Sequence, residues 1–258
     1  MTNTIKGRLI YLLGSGEGLL FHDLAFYRVD LESGRKEQIA KLPIDGWKAL
    51  AGHCRLTTRV LRLEPKCAGR LDENRFAVGL LSRMWHLDIN KKTIEALSTM
   101  RTGYGVLNFC EQEGCIYWGD YGSNPGHDEI NIYRLDRSLR QSVVYTFPRG
   151  SLRHIHNIIK TDDGFIVLCG DNEKVAGIYR ANKDWTDVKP WKAGEQKYRA
   201  VVGFPYRGGL LYATDSVEKE NHLRMLDTSG DEKDLMVMNG SCIYGGETKE
   251  HYLFSTTV

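Results

Sequence analysis

Apolar and polar positions alternate along most of the chain in short runs closed by a turn residue, the two-residue period of half-buried strands. One such run recurs five times: Ala25-Phe-Tyr-Arg-Val-Asp30, Arg83-Met-Trp-His-Leu-Asp88, Asn131-Ile-Tyr-Arg-Leu-Asp136, Gly177-Ile-Tyr-Arg-Ala-Asn182 and Asn221-His-Leu-Arg-Met-Leu-Asp227. The closing residues stand 58, 48, 46 and 45 positions apart, the period of a four-stranded propeller blade with some loop insertion.

Other strands keep the same phase. Leu9–Ser15, Ile116–Asp120, Phe165–Asp171 and Leu210–Asp215 precede the markers as second strands, and Gln38–Leu42, Ser142–Phe147 and Asp234–Met238 follow them as fourth strands. Val106–Phe109, His154–Ile159, Ala200–Phe204 and Ser241–Tyr244 read as first strands. Helical periodicity is hard to find, so the pattern predicts an all-β fold: a β-propeller of four-stranded blades in a single domain over residues 1–258. Five blades are recognisable, with a partial sixth. Residues 241–258 supply only two strands, and the amino-terminal unit reads as beginning at its second strand, so the expectation is a chain truncated at its carboxyl end.

Composition narrows the partners. The chain has 258 residues, 41% of them hydrophobic, and 35 Lys and Arg against 33 Asp and Glu for a net charge of +2. That balance, without a basic block, predicts no nucleic-acid partner. The apolar run Leu9–Leu13 stops at Gly14, too short for a membrane span or a secretory signal, and the expected location is cytoplasmic. Cys54, Cys67, Cys110, Cys115, Cys169 and Cys242 show no CxxC spacing and are expected to be free, buried thiols. Gly14-Ser-Gly-Glu-Gly18 lacks the spacing of a dinucleotide loop, since Leu19 stands where the third glycine belongs, and reads as an inter-strand loop. Trp47, Trp85, Trp118, Trp185 and Trp191 are spread over the units, which suits packing rather than a shared stacking platform.

The chemistry concentrates in Arg153-His154-Ile155-His156-Asn157. Residues i and i+2 of a strand share a face, so His154 and His156 point together, towards the channel if theirs is the innermost strand, while Ile155 packs between blades. Such a pair can serve as acid and base or hold a divalent metal, with His53 or His127 as a candidate third ligand. One repeat later stand Tyr198 and Arg199, a phenol and a guanidinium able to clamp a carboxylate. His154, His156, Tyr198 and Arg199 are the candidate catalytic set, with Arg153 for substrate. Asp120, Asp171 and Asp215 recur at the ends of second strands and are candidates for substrate contact or for tying turns. Asn124 and His127, on the long polar loop 121–128, are further candidate contacts.

Ile132-Tyr-Arg134 with Val144-Tyr-Thr-Phe147, Arg153–Asn157, Cys169-Gly-Asp171, Gln196-Lys-Tyr-Arg-Ala200, Ala213-Thr-Asp-Ser216 and Phe254–Val258 together resemble the sialidase-type (BNR-repeat) propeller proteins found near bacterial polysaccharide genes. The resemblance covers roughly residues 104–258; the first hundred match in period only. Where that group carries its Asp-box, this chain reads Leu135–Ser142 and Ala181–Asp187 without one. The resemblance implies a propeller acting on glycans. The sialidase set of an arginine triad, a tyrosine–glutamate pair and an acidic proton donor is not assigned to residues here.

Two functions follow from these readings. In the first, the chain is a lyase or glycoside hydrolase acting on a bacterial, acidic polysaccharide: arginine or a metal neutralises a uronate carboxylate, and His or Tyr moves the proton. In the second, it is a non-catalytic propeller that binds a glycan or a protein partner in polysaccharide assembly.

Overall fold

The computed structural model describes residues 5–44, 46, 55–61, 63–101, 103–217 and 219–257. Trp47, His53 and Cys54 lie outside them. The chain divides into two compact units, residues 1–116 with 136–140, and residues 117–135 with 141–258.

Antiparallel four-stranded sheets follow one another along the sequence. The first is β1 (Arg8–Gly14), β2 (Glu17–His22), β3 (Ala25–Asp30) and β4 (Lys36–Lys41), and the second is β5 (Cys67–Arg70), β6 (Arg75–Leu80), β7 (Arg83–Asp88) and β8 (Thr93–Thr99). After the short β9 (Tyr104–Gly105) comes a third sheet of β10 (Cys110–Gln112), β11 (Cys115–Gly119), β13 (Ile130–Leu135) and β14 (Gln141–Phe147), with β12 (Tyr121–Gly122) on the intervening loop. The fourth contains β15 (Ile155–Lys160), β16 (Gly164–Cys169), β17 (Gly177–Asn182) and β18 (Val188–Ala193), and the fifth β19 (Ala200–Tyr206), β20 (Gly209–Thr214), β21 (Asn221–Leu226) and β22 (Glu232–Met238). β23 (Cys242–Glu247) and β24 (Tyr252–Thr256) form a two-stranded sheet. Among the described residues, five successive four-stranded sheets and the closing β23–β24 pair match the five repeats and partial sixth of the sequence pattern.

Three details differ from the sequence reading. The amino-terminal sheet has all four strands, because Ser15 and Gly16, both at positive φ (53° and 77°), form a two-residue hairpin between β1 and β2. Such turns need a left-handed backbone at both positions, which glycine adopts without strain. The first strand of the third sheet is Cys110–Gln112 rather than Val106–Phe109. An α-helical turn, α1 (Arg55–Val60), is present, and among the described residues no helix is long and apolar enough to cross a membrane.

The recurring marker residues owe their place to the third hairpin. Asp30 Oδ1 accepts the Ser33 amide at 2.6 Å, Asp88 Oδ1 that of Lys91 at 2.8 Å and Asp136 Oδ1 that of Ser138 at 2.8 Å. Asn182 Oδ1 accepts from Asp187 at 3.0 Å and Asp227 Oδ1 from Asp231 at 2.8 Å. Each side chain satisfies turn amides that the ladder cannot reach.

In the first unit, Leu19, Phe21, Phe26, Phe76, Val78, Trp85 and Leu87 form a buried core. In the second, Ile159, Ile166, Leu168, Ile178, Tyr198, Ala200, Leu210 and Tyr212 form another, while Phe165 and Trp185 stack at 4.5 Å beside Tyr117. The described cysteines are free, and all but the partly covered Cys67 are buried. Close approach of strands relies on missing side chains: a Cβ on Gly119 of β11 would lie 2.5 Å from Ile155 Cβ. Ile155, 1% exposed, fills that space and fixes the start of β15.

Candidate functional site

The site lies in the second unit, at the beginning of β15. The Ile155 amide donates to the Asp120 carbonyl at 2.9 Å, and the pairing with β16 slips by one residue between Ile155 and Asn157. With Ile155 turned into the packing, His154 and His156 face the other way and meet, Nε2 to Nε2, at 2.9 Å. His154 Nδ1 lies 2.9 Å from the Gly122 carbonyl and His156 Nδ1 2.8 Å from the Ala200 carbonyl.

A carbonyl oxygen can only accept, so both Nδ1 atoms carry hydrogen and donate. In the neutral pair each Nε2 is then a bare lone pair. Burial, followed by the charge of a protonated His154, pushes the His156 pKa down to about 3 against the opposing Ala200 carbonyl. Two lone pairs at 2.9 Å repel unless a proton or a cation sits between them.

Asp171, just beyond β16, supplies the carboxylate. Its Oδ1 is 3.3 Å from His154 Nε2 and 3.5 Å from Arg199 Nη2, and its Oδ2 is 3.0 Å from Arg153 Nη1. Its carbonyl accepts from Gln196 Nε2 at 2.8 Å and Arg199 Nη1 at 3.1 Å. Burial raises its pKa, but the hydrogen bond and charge of His154, with Arg199 and Arg153, outweigh that and hold it below the usual range. Asp215 Oδ2 lies 3.3 Å from the same Arg199 Nη2. Here burial wins over Arg199 and a Ser241 hydrogen bond, and the pKa is raised.

One potential ligand atom from each of His154, His156 and Asp171 lies within 4.8 Å of the others. Each of two imidazole nitrogens 2.9 Å apart can reach a cation that takes ligands at about 2.1 Å, and imidazole with carboxylate suits a divalent transition metal. The residues therefore fit a metal. Asp171 would supply the third ligand; of the two histidines expected for that place, His53 lies outside the described residues and His127 sits on the loop 121–128. The Tyr121 ring covers the pair, 4.7 Å from the ring of His154 and 6.1 Å from that of His156.

Among the predicted residues, Arg153, His154, His156, Asp171, Arg199 and Asp215 come together; four others do not. Tyr198 ends a 3-10 turn (Gln196–Tyr198), and neighbouring side chains diverge there. Arg199 reaches Asp171 while Tyr198, 4% exposed, enters the apolar core. Its hydroxyl donates to Glu232, and burial followed by that bond raises its pKa. Asp120 Oδ2 accepts the Asn131 amide at 3.1 Å and the Tyr133 hydroxyl at 3.4 Å, a tie between strands. Asn124 spans its own loop, its Oδ1 accepting from Asp128 N at 2.9 Å and its Nδ2 donating to Asp128 O at 3.0 Å. His127 sits at φ 46° in the same loop, its carbonyl accepting from Gly150 at 2.7 Å. Sequence reasoning passed over Tyr121 and Gln196; their only signal was adjacency, to Asp120 and to the Tyr198–Arg199 segment.

Comparison with protein-family models finds no match, and comparison with curated proteins finds none. Solved structures do match. An oligogalacturonate lyase in complex with manganese has a TM-score of 0.60 at 9% identity, over 92% of this chain and 66% of that one. The oligogalacturonate lyase of Vibrio parahaemolyticus has 0.60 at 10%, over 94% and 68%. The calcium-binding protein regucalcin of Agrobacterium tumefaciens has 0.57 at 13%, over 93% and 77%. The fold is a β-propeller. At such identities the likeness shows the fold alone, and the chain spans about two thirds of the length of the lyases it matches.

Proposed function

We propose that this propeller acts on an acidic, uronate-containing oligosaccharide by lyase chemistry beside the His154–His156 pair, where His154, His156 and Asp171 would hold a divalent metal that neutralises the carboxylate, the C5 proton passing to solvent water and the leaving oxygen taking a proton from it. The observation that carries the reading is the cluster itself: His154 Nε2 and His156 Nε2 2.9 Å apart, each Nδ1 on a main-chain carbonyl, and Asp171 Oδ1 3.3 Å from His154 Nε2. A metal there would act as a Lewis acid on a uronate carboxylate. Arg153, whose side chain is 33% exposed, is the cation best placed to exchange Asp171 for a substrate carboxylate in a bidentate contact. The lyase neighbours, one in complex with manganese, add support for the substrate class.

Tyr198 donates its hydroxyl to Glu232. Tyr198 is 4% exposed in an apolar core, out of reach of a glycan, so the proposal rests on the histidines. Binding without turnover is the second reading, for either a glycan or a protein partner. It is favoured by the engagement of both histidines, both aspartates and both arginines with one another.

The test is incubation with uronate oligosaccharides and manganese, following the ultraviolet absorbance of unsaturated uronate. Appearance of product with the wild type and its loss in His156→Ala are expected. Glycan binding by calorimetry without product selects the second reading, and neither binding nor product rejects both.

A further inference from the structure

We infer that Asp215 is a positioning residue for the metal centre, acting through Arg199 on Asp171; the inference rests on the metal reading above. The Arg199 guanidinium lies between two carboxylates, its Nη2 3.3 Å from Asp215 Oδ2 and 3.5 Å from Asp171 Oδ1. Its Nη1 donates to the Asp171 carbonyl at 3.1 Å. The side chains of Asp215 and Arg199 are each only 12% exposed, so this charge pair is little screened by water.

The geometry assigns the two aspartates different tasks. Asp171 offers Oδ1 towards His154 Nε2 at 3.3 Å, whereas Asp215 has its ion pair with Arg199 and a main-chain bond from its own amide to the Arg199 carbonyl at 2.9 Å. Asp215 thus shares the Arg199 Nη2 with Asp171. Without that charge Arg199 is left to Asp171 alone and competes with the metal for Oδ1. Partners that orient a metal ligand in this way typically change affinity 10–100-fold.

The experiment uses cobalt(II) as the probe, read by calorimetry and by its visible d–d absorption. Wild-type protein is expected to bind cobalt with the His154–His156–Asp171 spectrum that His156→Ala abolishes; no binding by the wild type rejects the metal reading itself. Given wild-type binding, Asp215→Asn is expected to weaken it about 10–100-fold and to shift the absorption while thermal unfolding stays within a few degrees. In the Arg199→Gln background the same change is expected to have little further effect, because its intermediary is gone. Wild-type affinity and spectrum in Asp215→Asn, or losses that add in the double variant, overturn the inference. Should Asp215→Asn fail to fold, Asp215→Glu keeps the charge but moves it by one methylene, and wild-type cobalt affinity with an unshifted spectrum in that variant overturns the inference equally.

Discussion

Gly119→Ala should damage the site without touching any polar atom in it. The added methyl would lie 2.5 Å from Ile155 Cβ, 2.5 Å from its Cδ1 and 2.7 Å from its Cγ2, whereas carbons in contact sit about 3.5–4.0 Å apart. Rotating χ1 cannot relieve an overlap with Cβ itself, so the backbone of β15 must move by about 1 Å. Overpacking of this kind costs about 1–3 kcal/mol. The same displacement carries His154 and His156 from their carbonyls at 2.9 and 2.8 Å to distances at which the bonds are lost. Urea unfolding and cobalt titration of the same samples should show both effects, with affinity falling by at least about tenfold. Ile155→Val should not rescue, since it removes only Cδ1. Gly203→Ala is the control: the nearest atoms are the side-chain ends Leu210 Cδ1 at 3.1 Å and Ile159 Cδ1 at 3.3 Å and the Leu211 carbonyl oxygen at 3.3 Å, none as close as the Ile155 atoms, and a smaller effect is expected. Wild-type stability and affinity in Gly119→Ala, or equal damage from Gly203→Ala, would refute the reasoning.

Manganese at a hundred times its dissociation constant should stabilise the fold by about 2.7 kcal/mol, and a chelator should reverse the gain in a thermal melt; an unchanged melting temperature contradicts the metal reading. Burial raises the Glu232 pKa, but the Tyr198 hydrogen bond and then Lys197 and Lys192 lower it further, leaving it below its ordinary value. Its stabilisation is therefore complete above the unfolded value of about 4.3 and lost as pH falls through the folded one. The stability gap between wild type and Glu232→Gln should accordingly be widest near neutral pH and shrink in urea melts as the pH falls below the unfolded value of about 4.3. Leu168→Ala, at a position with no exposure, should cost about 2–5 kcal/mol, measured by the same unfolding curves.

What could be read in advance followed from how local its cause was. The strand markers were legible because an Asx turn is written in a few consecutive residues, and Asp136 and Asp227 do what their spacing suggested. Val106–Phe109 looked like a strand for the same apolar pattern, yet Val106 and Phe109 pack against the bare positions Gly79 and Gly69, and the ladder begins only at Cys110. The histidine pair was legible from two-residue alternation, and Asp171, Asp215 and Arg199 from their repeat positions. Whether an aspartate at such a position ties a strand, as Asp120 does, or faces an arginine depends on residues far away in sequence. Tyr198 and Arg199 could not be told apart, because the 3-10 turn that sends them in different directions carries no periodic signal.

The partners that fix the two imidazoles belong to the main chain, the carbonyls of residues 122 and 200. Any side chain compatible with the local backbone offers the same oxygen, so the tautomer of the pair is indifferent to which amino acids occupy those positions. Mutational drift there leaves the electronic state of the site untouched, while a shift of either backbone segment by an ångström would alter it with no change of sequence at all. A search by residue type therefore registers little beyond His-x-His, and proteins sharing this arrangement are to be sought by superposing backbones rather than by aligning letters.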